Sequence, residues 1–284
     1  MFAMKNGWSP NQYTLYRAAF GVYLAIHFAM LIPFGTELFS NQGVLPDAYA
    51  SPLAFLFPNI LCVADSPAVV LTMLVTGVIA AMFFAAGRFD RTAAVTLWYV
   101  LACAFGRNPL IANPSLPYVG WLLLAHLAVP PVRQRDWVMP GNLFGAAWIV
   151  MAAGYTYSGW TKLASPSWLD GTALERLLSN PLARPTALRD LLLTLPSALL
   201  TGATWLTLAL ELMYAPLALS RRARPWIWLA MLGLHLSLLV IVDFADLTLG
   251  MVMLHFFTFD RAWLRFARPV EDRPSCLSLS STPV

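Results

Sequence analysis

Eight apolar segments, separated by short polar or proline-containing loops, make up most of this chain of 284 residues. Soluble domains carry about 25% charged residues, whereas this chain is 11% charged and 59% hydrophobic. Inside a bilayer each segment must satisfy its own backbone hydrogen bonds, and helices do this. The segments cover residues 12–34, 67–87, 92–106, 117–131, 142–161, 196–219, 225–242 and 246–259, of which the third and eighth are short. We therefore predict an all-α, polytopic bundle of about eight transmembrane helices in contact with the lipid bilayer.

The distribution of basic residues predicts the orientation of this bundle. Cytoplasmic loops of membrane proteins are enriched in Lys and Arg. With both termini in the cytoplasm, five of the 18 Lys and Arg side chains fall on the outer side and the rest fall on the inner side. The outer five are Arg107, Lys162, Arg176, Arg184 and Arg189. We therefore predict cytoplasmic termini and an outer face, periplasmic in a bacterium, that carries Lys162. The net charge of +4 follows from the basic loops and gives no reason to expect nucleic acid binding.

The same pattern predicts a single transmembrane domain over residues 1–268. The remaining residues, 269–284, are rich in Ser and Pro and are predicted to form a disordered cytoplasmic tail. Two outer loops are substantial, at about 35–66 and 162–195, and the second contains a short amphipathic helix predicted from Leu174 to Leu178. The three cysteines have neither the number nor the spacing of a disulfide framework or a metal site.

Lysine is rare in this chain, and one of its two lysines borders the membrane. The lysines are Lys5 and Lys162, and all the other basic residues are arginines. Arginine stays protonated in a cell, whereas a partly desolvated lysine can lose its proton and act as a base. Lys162 is therefore a candidate catalytic base. The alternative is a lysine that ends a helix and extends its ammonium to the membrane interface.

Ionisable residues within the apolar segments are the next candidates, since such residues are costly in a membrane and usually face the bundle interior. They are His27, His126, His235, His255 and Glu211. His235 and Glu211 lie roughly ten residues to either side of the turn at 220–224, which gives them similar depth on antiparallel helices. We predict that they are partners, either in a site or in a structural hydrogen bond between helices. His126 and His255 lie nearer the inner side and are expected to stand apart from a site on the outer face.

Aromatic and small residues surround Lys162 in the sequence. At the helical period, Tyr155, Ser158, Gly159 and Lys162 share one face. Small residues on such a face let another helix or a flat ligand approach closely. The candidates for a pocket that holds a flat ring are Tyr155, Tyr157, Trp168 and Asn113.

Three blocks of this sequence resemble the HTTM family, the membrane domain shared with vitamin K-dependent gamma-carboxylase. The most specific block is Tyr155-Thr-Tyr-Ser-Gly159-Trp-Thr-Lys162-Leu, followed by Trp168-Leu-Asp-Gly171. The other two are residues 15–21 with 37–46, and Glu211, Arg224 and His235 with 249–257. Together they extend over about residues 12 to 265.

The resemblance implies a reduced quinone, of the vitamin K or menaquinone type, as cofactor and no metal. Lys162 aligns with the family's catalytic base and His235 with a histidine of its penultimate helix, and Glu211 would support them. In the carboxylase the base deprotonates the reduced quinone, oxygen adds, and the strong base that results takes a proton from peptidyl glutamate before carbon dioxide adds. The implied activity is carboxylase-like, a carbon–carbon lyase or a quinol oxidase that acts on a peptide or partner protein at the outer face.

Two departures from the family pattern narrow this expectation. Thr161 stands where the carboxylase has the first of two lysines. The chain also stops shortly after its eighth segment, where the carboxylase continues into a long extra-membrane region. Quinone-linked oxidation, or carboxylation of a small or partner-presented substrate, fits this length better.

A different class of function stays open beside the enzyme. The bundle would then serve as a non-catalytic membrane binding or immunity partner, or as a permease, and Lys162 would be a cation at the interface. In either case we expect an integral protein of a bacterial inner (plasma) membrane. Lys162→Arg separates the two hypotheses, because arginine replaces the cation but not the base.

Overall fold

In the computed structural model, residues 8–109, 113–131 and 137–267 are described, and they form α-helices joined by turns and short 3-10 segments. The helices are α1 (Pro10–Leu31), α2 (Gly35–Phe39), α3 (Pro67–Ala86), α4 (Asp90–Arg107), α5 (Leu116–Leu127), α6 (Gly141–Lys162), α7 (Pro166–Leu169), α8 (Ala173–Leu178), α9 (Ala187–Leu193), α10 (Ser197–Leu212), α11 (Tyr214–Leu219), α12 (Arg224–Ile241) and α13 (Ala245–Thr258). The fold is 74% helical, with no β-strand within those ranges. The predicted tail at 269–284 lies outside the described residues.

Each of the eight apolar segments coincides with helix, so the all-α prediction is confirmed. Within the described part of the chain, three helices are long and apolar enough to cross a membrane: Pro10–Phe39, which continues α1 through a 3-10 turn into α2, together with α3 and α12. A fourth is added if α9 and α10, which meet at an angle of 106°, count as one broken crossing. The apolar helices α5 and α13 have 12 and 14 residues, fewer than the about 20 that span a bilayer. These helices are compatible with an integral membrane protein in contact with lipid.

Proline and glycine set several of the helix ends. Pro10 occupies the first turn of α1, where its missing N–H costs nothing, and the Ser9 side chain caps the Gln12 N–H. Pro216 accounts for the break between α10 and α11, because its ring excludes the Leu212 carbonyl from a regular helix. At the end of α3, Gly87 has a φ of 71°, a left-handed conformation that favours glycine.

Helix α13 joins two groups of helices. In the first group α1 packs along α3, α3 along α4, and α4 along α5. In the second, α6 packs against α10 and α11, and α12 packs against α10 and α11. Helix α13 contacts α1 and α5 on one side and α6 and α12 on the other. Its side chains are therefore largely buried, Leu254 and Phe257 completely so.

The long connection between α6 and α10 contains three short helices and returns to the bundle. The predicted helix at 174–178 is confirmed as α8, which packs on α10. Further along, Ala183 forms an isolated antiparallel bridge with Val242, at the turn between α12 and α13. The Arg184 N–H donates to the Ile241 carbonyl at 2.7 Å, and the Asp243 N–H donates to the Leu182 carbonyl at 2.7 Å. The loop thus satisfies backbone groups that the turn leaves free.

Candidate functional site

Lys162 ends α6 and forms an ion pair with Glu211 of α10. Its ammonium donates to Glu211 Oε2 at 2.6 Å and to Ser158 Oγ at 2.7 Å. The Glu211 side chain is 8% exposed and that of Lys162 is 21% exposed. The ammonium also lies 5.0 Å from the centre of the Trp168 ring, within the range of a cation–π contact. The pair is therefore shielded from water by an aromatic ring and by two helices.

Gly159 allows the two helices to come close enough for this pair. A β-carbon at this position would lie 2.8 Å from the Leu212 backbone nitrogen and 3.1 Å from the Glu211 β-carbon. Because Gly159 and Lys162 share a face of α6, the same close approach brings Glu211 within reach of the ammonium. The face predicted from the sequence is thus the contact surface with α10.

The segment after α6 folds back toward the Lys162 ammonium and packs on α10. Gly171 has a φ of 80°, and a β-carbon there would lie 2.4 Å from Thr201 Cγ2 of α10. Asp170 accepts the Thr172 hydroxyl at 2.6 Å and the Thr172 N–H at 2.9 Å. These hydrogen bonds hold the pKa of Asp170 below its usual value, and the bond from the Thr172 hydroxyl has the larger effect. The turn that follows Trp168 is therefore fixed by local bonds and by contact with α10.

About two turns before Lys162 on α6, Tyr155 lies within a group of rings from three other helices. Its ring centre is 4.7 Å from that of Tyr214, 5.8 Å from that of His235 and 5.8 Å from that of His255. The Tyr155 hydroxyl and His255 Nε2 are 3.5 Å apart, a long hydrogen bond. His235 and His255 also contact each other, with ring centres 5.9 Å apart. We call Tyr155, Tyr214, His235 and His255 the ring cluster.

Both ring nitrogens of His235 lack a hydrogen-bond partner among the described residues, although only 7% of the residue is exposed. The hydroxyl of Tyr214 is also buried without a hydrogen-bond partner among the described residues. Buried polar atoms are normally satisfied, and those that are not are commonly met by a water molecule or a ligand. The ring cluster therefore has an unmet capacity for hydrogen bonds.

The structure brings together most of the predicted site, with two corrections. Glu211 pairs with Lys162, and not with His235 as the sequence predicts. Similar depth does not ensure that two side chains face each other around their helix axes. The expectation that His255 stands apart is also wrong, since it packs against Tyr155 and His235.

Two predicted pocket residues lie elsewhere. Tyr157 is 69% exposed on the opposite face of α6. Asn113 donates to Asp246 Oδ2 at 2.5 Å, at the start of α13, and belongs to a second polar cluster. Trp168 and Tyr155 remain beside the Lys162–Glu211 pair and in the ring cluster, respectively.

Comparisons of this chain with models of known families, with curated proteins and with solved structures give no match. The pair places an amine and a carboxylate, two groups that serve in proton transfer, 2.6 Å apart in a shielded position.

Proposed function

We propose that this chain is an integral membrane protein with eight crossings and cytoplasmic termini, and that the Lys162–Glu211 pair is a proton-accepting site for a reduced quinone. The shorter helices α5 and α13 would cross within the shelter of longer neighbours. The observation that carries the proposal is the shielded pair itself, which lies on the face of α6 that also presents Tyr155 to the ring cluster.

The residue types around the pair and in the ring cluster suit the aromatic head-group of a quinone. Tyr155 and Trp168 contribute aromatic rings to the surroundings of the pair. The nitrogens of His235 and the hydroxyl of Tyr214, which have no partner among the described residues, could form hydrogen bonds with quinone oxygens. A reduced quinone with dioxygen gives the quinone epoxide and water, and this reaction supplies the strong base in carboxylase-like chemistry. Lys162 would take the first phenolic proton once its own proton has passed to Glu211. The resemblance to the HTTM family points to the same lysine.

The experiment that tests this proposal is epoxide formation from reduced vitamin K or menaquinone by the purified protein in nanodiscs. We expect epoxide from the native chain, none from Lys162→Ala, and none from Lys162→Arg, because arginine keeps the ion pair but cannot serve as a base. Trp160→Phe is the matched control, since Trp160 lies on the same helix and is 70% exposed. Equal turnover by Lys162→Arg and the native chain would overturn the proposal.

The number of contacts that the Lys162 ammonium makes supports a second candidate function. The Lys162 ammonium already has Glu211, Ser158 and Trp168 as partners, which is the arrangement expected of a link between α6 and α10. The protein would then be a non-catalytic membrane binding or immunity partner, or a permease. In this case Lys162→Arg preserves folding and binding, and no quinone epoxide is formed by any variant.

A further inference from the structure

A cavity of about 390 Å³ lies between α1, α4 and α13, apart from the Lys162–Glu211 pair. None of its described lining residues belongs to α6 or α10. Most of its wall is apolar, including Leu101, Phe105 and Leu249, while Asp246 and His27 form a polar end. Its volume is in the range of small-molecule sites, about 300–1,000 Å³.

Three side chains, two from α1 and one from the segment before α5, hold the Asp246 carboxylate. His27 Nδ1 lies 2.7 Å from Asp246 Oδ1, and the Tyr23 hydroxyl donates to the same oxygen at 3.1 Å. Asn113 donates to Oδ2 at 2.5 Å. Asn113 is itself held by Ser115, whose N–H donates to its side-chain oxygen at 2.8 Å. Since 28% of the Asp246 side chain remains exposed, the carboxylate is fixed but still accessible.

The free positions at this polar end are hydrogen-bond acceptors. A carboxylate accepts only, so His27 Nδ1 donates to it. The carboxylate has lone pairs beyond the three that are used. A ligand that satisfies these atoms must therefore be a donor.

The charge around the cavity favours a cationic donor. Asp246 and Asp243 both line it, and among the described lining residues there is no lysine or arginine. The exposed Asp243 has its own partner, because it pairs with Arg184 at 3.1 Å. Among the described residues, His27 is the one basic side chain in contact with Asp246, and a half-buried carboxylate gains from a fixed cation. The ring of Phe105 adds a surface that attracts cations.

The rim of the cavity gives a route for an apolar molecule. Ile26 and Met30 line it from α1 and are 53% and 67% exposed. Pro10–Phe39 is one of the three helices apolar enough to cross a membrane, so these side chains would face lipid. A ligand dissolved in the bilayer would enter with its hydrocarbon part along this rim.

We propose that this cavity binds an amphipathic organic amine, with its ammonium between Asp246 and His27 and its hydrocarbon chain along Phe105 and Leu249. The proposal goes beyond the quinone chemistry at Lys162 and does not depend on it. An ammonium supplies both the hydrogen-bond donors and the charge that this end of the cavity lacks, whereas an alcohol supplies the donor alone.

The test measures binding of dodecylamine and of dodecanol, which differ only in the head-group, to the protein in nanodiscs, with binding to empty nanodiscs subtracted. We expect dodecylamine to bind at least about tenfold more tightly than dodecanol, and Asp246→Asn to remove that preference, since removing one partner of a shielded charge pair costs well over a factor of ten. Glu37→Gln is the matched control, an exposed acidic residue of α2 outside the cavity lining. Equal affinity for the two compounds, or an unchanged preference in Asp246→Asn, would overturn the proposal.

A second variant keeps the test decisive if Asp246→Asn does not fold. Leu249→Trp places an indole in the apolar part of the cavity and leaves the polar end unchanged. We expect it to abolish dodecylamine binding, and retention of native affinity would count against the site. Lys162→Ala must leave this affinity unaltered, so failure of the quinone proposal and failure of the amine proposal are separate results.

Discussion

The two single substitutions in the Lys162–Glu211 pair are expected to cost, as a sum, more stability than the double substitution. Lys162→Met leaves the Glu211 carboxylate, 8% exposed, with the Ser158 hydroxyl as its remaining close polar neighbour. Glu211→Gln leaves the ammonium, but at 21% exposure Lys162 can turn partly toward water. Lys162→Met combined with Glu211→Gln removes both charges between α6 and α10.

The separation of the charges sets the scale of these effects. Two unit charges at the observed 2.6 Å attract each other by about 6 kcal/mol at an effective dielectric constant of ~20. Desolvation of both groups offsets most of this attraction. We expect losses in unfolding free energy of about 3 kcal/mol for Lys162→Met and about 1.5 kcal/mol for Glu211→Gln. The double variant should lose only about 2 kcal/mol, so the coupling between the two sites is roughly 2.5 kcal/mol.

The assay is reversible unfolding in mixed lipid–detergent micelles, followed by circular dichroism as sodium dodecyl sulfate is added. Arg176→Met controls for loss of a basic residue in the same outer region, because Arg176 is exposed and such changes stay within about 0.5 kcal/mol. A coupling below about 0.5 kcal/mol would refute the reasoning, since Lys162 would then behave as a solvated cation.

Two further predictions address packing and orientation. Gly159→Ala should lower the unfolding free energy by about 1–3 kcal/mol, because a β-carbon there would lie 2.8 Å from the Leu212 nitrogen. Gly202→Ala has open space on α10 and should be neutral or stabilising. Equal effects of the two variants in the same unfolding assay would contradict the close packing. A membrane-impermeant maleimide should label Cys62 from outside intact cells in a variant with Cys276 replaced by serine. Labelling should be faster at alkaline pH, because burial raises the pKa of the Cys62 thiol. Labelling only after the cells are opened would contradict the proposed orientation.

The sequence was most informative where the physical cause is local. Each of the eight apolar runs predicts a helical region, and Pro216 explains a break within one run, between α10 and α11. The face of α6 that carries Gly159 and Lys162 follows from the helical period alone. These features depend on residues within a few turns of each other, so a single sequence contains them.

The partners of each side chain depend on packing between distant helices. Counting residues from a turn placed Glu211 and His235 at one depth, but rotation about each helix axis directs Glu211 to Lys162. Asn113 was grouped with Lys162 because both were assigned to the outer side. In the fold, α13 brings Asp246 to Asn113 instead. Lateral position within a bundle is a property of the assembled helices and is not encoded in any one segment.

The shortness of α13 has a consequence for the membrane around this protein. Fourteen residues rise about 21 Å, against a hydrocarbon thickness of about 30 Å. If its inner end reaches the inner interface, the turn at 242–244 lies below the outer one, where backbone groups must be satisfied by protein. The bridge between Ala183 and Val242 and the bond from Asp243 to Leu182 meet that need. In that placement the 180–184 segment would cover the turn with protein where it lies within the bilayer, and so compensate for the shortness of α13.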